Sequence, residues 1–178
     1  MTRRGSQAKP AIGSVEDLMT IAFAMEAEAA ERYAEFADVM ESHNNREVAE
    51  LFRKMARIEG LHAQQIRDRM GWSAEPPSGT VSYRWEGVEG PETADHTDLH
   101  YLMTPHHALQ IARINEERAH RFYGKLARSA PTPELRAAAE ELEEEEADHV
   151  RLMDEWIAKT AAPSADWAHD QDPPNYAD

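Results

Sequence analysis

The hydrophobic positions of the chain recur with a helical period in separate stretches. In the first stretch, Leu18–Met40, apolar side chains return every three or four residues, with no Gly or Pro between them. This spacing predicts an amphipathic helix that begins after an N-cap at Ser14 and ends at the Asn44–Asn45 pair, which is typical of a turn. A second amphipathic helix follows and is predicted to end at Gly71.

The second half of the chain repeats this organisation. Thr104 followed by Pro is typical of a helix start and predicts a third helix that continues to about Arg128. Thr132 is predicted to cap a fourth helix that continues to about Lys159. We expect Leu152 to lie on the inner face of that helix, together with its apolar neighbours. The pattern therefore predicts an all-α four-helix bundle.

The segments around the helices lack this periodicity. Residues 1–13 are predicted to be a flexible N-terminal segment, residues 14–160 the bundle, and residues 161–178 an irregular C-terminal tail. Residues 71–104 contain Pro and Gly residues and are predicted to form a long crossover between helices two and three, with a short strand near residues 81–85. Such a crossover lets helix three start at the same end as helix two.

Composition and charge narrow the class of protein. The chain has 19 Lys and Arg against 34 Asp and Glu, a net charge of −15, which disfavours nucleic acid and anionic membranes as partners. It contains no Cys, which excludes disulfides, thiolate zinc sites and iron–sulfur clusters within these residues. No apolar run approaches the ~18–20 residues of a membrane span, and no apolar signal core follows the basic start. We therefore expect a cytoplasmic protein.

The two halves of the chain are copies of one helical hairpin. Helix one (IAFAMEAEAAERYAEFA) aligns without gaps with helix three (IARINEERAHRFYGKLA). A Glu and a Tyr repeat in that pair, and a Glu-x-x-His motif repeats between helices two and four. The repeated pairs are Glu26 with Glu116, Tyr33 with Tyr123, Glu59 with Glu146, and His62 with His149.

The repeated polar residues occupy positions on the predicted inner faces. A buried carboxylate without a partner costs several kcal/mol, and no Lys or Arg recurs on these faces. Two divalent metal ions would balance the charge of four carboxylates, and Glu-x-x-His places both side chains on one helical face. The sequence therefore predicts a two-metal site in the bundle interior. Its predicted ligands are Glu26, Glu59, His62, Glu116, Glu146 and His149.

With these motifs, the sequence resembles the rubrerythrin branch of the ferritin-like superfamily across about residues 14–160. The segment LFRKMARIEGLHAQQI is particularly similar to the second-helix signature of that family. The resemblance implies a ferritin-like fold and a non-haem di-iron centre that reacts with peroxide or dioxygen. It also implies that the six residues ligate iron and that the protein is a homodimer.

The sequence departs from the rubrerythrin pattern at two points. Typical rubrerythrins carry a rubredoxin module with a Cys₄ iron, and a chain without Cys has to receive its electrons from an external donor protein. They also have a further Glu three residues after the third-helix ligand, where this chain has Ala119. His120 lies one turn from Glu116, and whether it replaces that Glu is left open. The motif Glu117-x-x-His120 itself is out of register with helix one and is predicted to lie outside the site.

Several other polar residues have structural interpretations. Tyr33 and Tyr123 are interpreted as core residues whose hydroxyls support the metal-ligating carboxylates. In the acidic run Glu143–Glu146, only the last residue lies on the ligand face. Histidines near the crossover are predicted to be ordinary loop or cap residues; these are His96, His100, His106 and His107.

Three functions are compatible with such a site. Carboxylates with one His per metal favour iron, or manganese, over zinc and copper. The first function is a di-iron peroxidase or oxidase that uses peroxide or dioxygen. The second is a ferroxidase in which iron itself is the substrate, and the third is a metal-binding protein without turnover.

Overall fold

The computed structural model describes residues 12–73 and 96–170. It contains four long helices, α1 (Val15–Ser42), α2 (Arg46–Met70), α3 (Pro105–Ser129) and α4 (Pro133–Lys159), and a short 3₁₀ turn at His96–Asp98. Within those two ranges there is no strand. The predicted all-α bundle is thus confirmed, and each helix ends within one or two residues of its predicted boundary.

Local capping interactions explain these boundaries. The Ser14 hydroxyl accepts the Asp17 N–H, and the Asp17 carboxylate accepts the Ser14 N–H, each at 3.0 Å. The Asn45 side chain accepts the backbone N–H of Val48 at the start of α2. Gly71 ends α2 in the left-handed region with φ of 67°, where a residue without a Cβ is favoured.

The four helices assemble as two antiparallel hairpins, α1 with α2 and α3 with α4. The start of α2 and the start of α3 share one apolar cluster with the end of α1, so both helices begin at the same end of the bundle. Helix α3 thus begins at the same end as α2, and the long crossover predicted at residues 71–104 stays a prediction. Residues 74–95, which include the strand predicted at 81–85, lie outside the described part of the chain, as do residues 1–11 and 171–178.

The bundle interior consists of two apolar clusters separated by a polar layer. One cluster surrounds the first half of α1 and the second half of α3. The other contains the aromatic side chains of Tyr33, Phe36 and Phe52, with 5.3 Å between the ring centroids of the two phenylalanines. In the layer between the clusters each helix contributes one buried carboxylate, and these are Glu26, Glu59, Glu116 and Glu146.

The first ten residues of the predicted tail, 161–170, contain a turn and no helix or strand. They nevertheless contact the bundle, because Trp167 packs against the second cluster and the Tyr101 hydroxyl donates to Asp170 at 2.8 Å. None of the helices in the described ranges is both long and apolar enough to span a membrane.

The prediction for Leu152 was wrong, since its side chain is exposed. The neighbouring Met153 is buried instead, 4% exposed. Adjacent helical residues point about 100° apart, so only one of the two can face the core. The pattern alone did not distinguish them because both are apolar.

Replacing Phe52 by Ala is expected to lower the free energy of unfolding by about 3–5 kcal/mol, because its side chain is fully buried between two other aromatic rings. Urea unfolding of the purified protein would measure this loss. Leu61→Ala is the control, since Leu61 is 57% exposed and should change stability by less than about 0.5 kcal/mol. Equal effects of the two substitutions would contradict the described packing.

Candidate metal centre

Each helical hairpin presents one Glu-Glu-His group to the bundle interior. Both groups lie between the two apolar clusters, at mid-height of the bundle. In each group, one potential ligand atom from every residue lies within 4.8 Å of the others. The groups are Glu26 with Glu59 and His62, and Glu116 with Glu146 and His149. The structure therefore brings together all six residues that the sequence analysis selected.

The separations within the first group suit a shared metal ion. His62 Nδ1 lies 3.3 Å from Glu59 Oε2 and 3.6 Å from Glu26 Oε2. Adjacent ligands on one ion with bonds of about 2.1 Å lie about 3.0 Å apart, so small side-chain movements would complete such a site. His62 Nδ1 is buried and makes no hydrogen bond, which is the state of a donor atom that a metal ion would satisfy.

The second group has nearly the same dimensions. His149 Nδ1 lies 3.2 Å from Glu146 Oε2 and 3.4 Å from Glu116 Oε2. The rings of His62 and His149 stack with centroids 4.6 Å apart and an interplanar angle of 4°. The two groups are therefore adjacent in the bundle interior.

The charge of the site supports binding of cations. The four carboxylate residues are between 1% and 6% exposed. Among the described residues, the ion-pair partners of these carboxylates are His62 and His149, and no Lys or Arg contacts them. With oxygen and imidazole donors and no thiolate, the donor set fits iron or manganese. The residues present thus fit a two-metal site.

In the metal-free protein, protons supply part of the missing positive charge. Burial raises the pKa of Glu26 well above its usual value, and burial also raises the pKa of Glu116. Burial alone would lower the pKa of His62, but the close negatively charged carboxylates of Glu26 and Glu59 outweigh this effect and raise it to about 10. The same balance raises the pKa of His149 to about 11. At neutral pH both imidazoles therefore carry a proton that a metal ion would displace.

Two tyrosines border the polar layer with similar contacts in the two halves. Tyr33 Oη accepts a hydrogen bond from Asn115 Nδ2 at 3.0 Å, and Tyr123 Oη donates to Met25 Sδ at 3.7 Å. Both rings are buried in the core, as expected. That these hydroxyls support metal ligands stays a prediction.

Asn115, which is 1% exposed and lies next to Glu116, was not predicted from the sequence. Asn115 aligns with Met25 in the internal repeat, so each tyrosine contacts the residue that precedes the repeated Glu of the other half. A polar residue that replaces an apolar one at a repeated buried position was the signal that could have identified it.

His120 belongs to neither Glu-Glu-His group. Its Nε2 lies 3.9 Å from Glu143 Oε1, and its side chain is 38% exposed. Glu117 pairs with Arg113 and Arg121 at the surface of α3. His120 therefore does not replace the Glu that typical rubrerythrins have at the position of Ala119. The Glu117-x-x-His120 motif lies outside the site, as predicted.

The histidines near the crossover have local contacts. His107 Nδ1 accepts the Thr104 N–H at 3.1 Å and so caps α3, as expected for a cap residue. The rings of His100 and His107 both contact Trp167, with centroid distances of 5.1 and 4.0 Å. The side chain of His96 lies outside the described part of the structure.

The stability of the metal-free protein is expected to fall between about pH 7 and pH 10. The folded-state pKa values of His62 and His149, about 10 and 11, exceed the unfolded value of 6.5. The two protonated histidines therefore stabilise the folded state fully below pH 6.5. This contribution declines at higher pH and is lost as the pH rises through their folded-state pKa values. The raised pKa values of Glu26 and Glu116 act in the same direction.

Urea unfolding of the chelated protein from pH 6 to pH 10 would measure this dependence. The double variant His62→Gln, His149→Gln should show a shallower decline over the same range. A stability that stays constant from pH 7 to pH 10 in the unmodified protein would contradict the described electrostatics.

Comparisons with known proteins agree with this geometry. A family model described as Rubrerythrin matches residues 17–84. A crystal structure of an uncharacterised conserved protein from Magnetospirillum magnetotacticum MS-1 is similar with 41% sequence identity and a TM-score of 0.60, over 85% of this chain and 98% of that chain. No curated protein matched the sequence. Together with the two Glu-Glu-His groups, these similarities show that the chain belongs to the rubrerythrin-like branch of the ferritin-like di-iron superfamily.

Proposed function

We propose that the protein is a non-haem di-iron oxidoreductase of rubrerythrin type that reduces hydrogen peroxide or dioxygen. The observation that carries the proposal is the adjacency of the two Glu-Glu-His groups, whose histidine rings are 4.6 Å apart at the centroids. Reduction of a peroxide requires two electrons. Two neighbouring metal ions that each change oxidation state by one electron can supply them together.

In this proposal each helical hairpin holds one metal ion. Glu26, Glu59 and His62 would hold the first, and the repeated residues of α3 and α4 would hold the second. When bound, iron supplies the electrons that split the oxygen–oxygen bond, and manganese fits the same donors. Hydrogen peroxide then takes up two electrons and two protons and yields two molecules of water.

The apolar side chains around the polar layer determine how much water reaches the site. The apolar clusters on both sides of the polar layer exclude water, which limits the escape of reactive oxygen species. The Tyr33 hydroxyl is held by Asn115 at the edge of the layer. Because the ring is buried in the core, the hydroxyl oxygen is held in a fixed position.

The electrons have to come from outside these residues. The chain contains no Cys and therefore no rubredoxin-type iron of its own. The proposal accordingly includes an external electron donor protein, a homodimer and a cytoplasmic location, and no nucleic acid or membrane as partner.

The iron-loaded protein is expected to consume hydrogen peroxide when a chemical reductant is supplied, and the metal-free protein is not. Peroxide loss can be followed under anaerobic conditions with both forms side by side. Rapid turnover with only Fe²⁺ and dioxygen, without peroxide reduction, would favour a ferroxidase instead. Equal and negligible activity of both forms would leave a metal-binding protein without turnover.

Glu59→Gln and Glu146→Gln should each weaken metal binding by at least about tenfold, because each removes a charged ligand of one proposed site. Metal analysis after anaerobic loading and buffer exchange would measure the content per chain. Glu145→Gln is the matched control, since it makes the same change at the exposed residue beside Glu146. Full metal content in both ligand variants would refute the assignment of these residues.

A further inference from the structure

A cavity of about 280 Å³ lies along the first half of α3, between that helix, the residues that precede it and the C-terminal segment. Ile111 and Ile114 give it apolar walls, and the ring of Trp167 also lines it. That ring packs against the rings of His100 and His107, with centroids 5.1 and 4.0 Å away. None of the six residues of the Glu-Glu-His groups lines the cavity, so it is a candidate binding site separate from the metal centre.

The most deeply buried polar side chain of the cavity is Asn115, which is 1% exposed. Within the described ranges its amide makes one hydrogen bond, from Nδ2 to Tyr33 Oη at 3.0 Å. A primary amide has one acceptor oxygen and two N–H donors, so the oxygen and one N–H have no protein partner there. Leaving such groups unsatisfied in a buried position costs free energy. A ligand hydroxyl, which both donates and accepts, would satisfy them.

The positive charge at the cavity comes from Arg118, which lies one helical turn after Asn115. Its neighbours Arg113 and Arg121 both pair with Glu117, whereas Arg118 forms no ion pair with any residue that the structure describes. Guanidinium groups bind carboxylates through charge-assisted hydrogen bonds. In a protein with a net charge of −15, an unpaired guanidinium beside an apolar cavity favours an organic anion as the ligand.

The other titratable side chains at the cavity leave this preference in place. Burial and the neighbouring His106 and His100 lower the pKa of His107, so its ring is uncharged at neutral pH. Asp98 also lines the cavity, but it is exposed to solvent and engaged in an interaction of its own. Solvent and salt screen such an exposed charge, so it opposes an anion only weakly. Arg118 therefore determines the sign of the ligand charge.

We propose that this cavity binds small 2-hydroxycarboxylates that carry an apolar side chain. The carboxylate pairs with Arg118, the hydroxyl donates to Oδ1 of Asn115 and accepts its second N–H, and the side chain lies against Ile111, Ile114 and the Trp167 ring. Since one water occupies about 30 Å³, the cavity has room for a molecule of roughly ten non-hydrogen atoms. The bound molecule contacts both α3 and Trp167, and so fastens the C-terminal segment to the bundle.

The test compares three compounds of one shape. The probe is 3-phenyllactate; 3-phenylpropanoate lacks its hydroxyl, and 3-phenyl-1,2-propanediol lacks its carboxylate. Calorimetry on the metal-free full chain measures binding, and NMR of the ¹⁵N-labelled protein follows the Asn115 side-chain amide and the Trp167 indole. Both signals are expected to shift with the probe, which should bind about tenfold more tightly than either analogue because each lacks one polar contact.

Two variants assign the polar contacts. Asn115→Leu should abolish the preference for 3-phenyllactate over 3-phenylpropanoate, and Arg118→Gln should abolish its preference over the diol. Arg121→Gln is the matched control for charge, since Arg121 is on the same helix but outside the cavity. Tyr33→Phe removes the partner of Asn115 and keeps its amide. Both controls should keep the preferences of the unmodified protein, and circular dichroism checks that every variant is helical.

Ile114→Trp tests the cavity independently of the buried amide. Ile114 is 46% exposed, so the substitution fills the cavity from its outer side and should abolish binding of all three compounds. Equal binding of the three compounds, preferences that persist in both Asn115→Leu and Arg118→Gln, or signal changes confined to residues away from Asn115 and Trp167 would overturn the proposed site.

Metal loading distinguishes this site from the metal centre. Iron-loaded protein should bind 3-phenyllactate as tightly as metal-free protein, because none of the six candidate ligands lines the cavity. Binding that requires iron would place the carboxylate on the metal and overturn the cavity as the site. The result does not depend on peroxide reduction, since binding at Asn115 and Arg118 supports the proposal whether or not the iron-loaded protein consumes peroxide.

Discussion

The structure depends on how four buried carboxylates are compensated at the centre of an apolar bundle. A folded chain does not bury such a cluster without opposing charge, because each desolvated carboxylate costs several kcal/mol and neighbours repel one another. In this chain the compensation comes from His62 and His149, whose pKa values are raised to about 10 and 11. Protons and metal ions therefore compete for the same side chains. In the metal-free protein, protons on the two histidines balance part of the carboxylate charge.

Much of this arrangement could be predicted from the sequence because the same pattern of residues occurs in both halves of the chain. Helical period and capping residues determined the helices, and the repeat of Glu26 at Glu116 and of the Glu-x-x-His motif identified the polar positions that face inward. Burial of one or the other of two adjacent apolar residues, such as Leu152 and Met153, depends on helix rotation within the assembled bundle. Periodicity does not resolve such rotations.

The features that the sequence did not reveal are those in which the two halves differ. Asn115 carries no motif, and its contact with Tyr33 joins residues that are distant in the chain. Likewise, nothing in the tail indicated that Trp167 would cover α3. Repetition identifies what is common to both hairpins, whereas contacts that occur in only one of them become visible only after the helices are packed.

Each hairpin carries a complete Glu-Glu-His group on its own two helices. The centre is therefore assembled from two repeats of one pattern, and neither hairpin forms it alone. Docking of the hairpins is what brings the imidazole rings to 4.6 Å. Because metal binding would relieve the repulsion among carboxylates that docking brings together, metal uptake and docking of the two hairpins are coupled events.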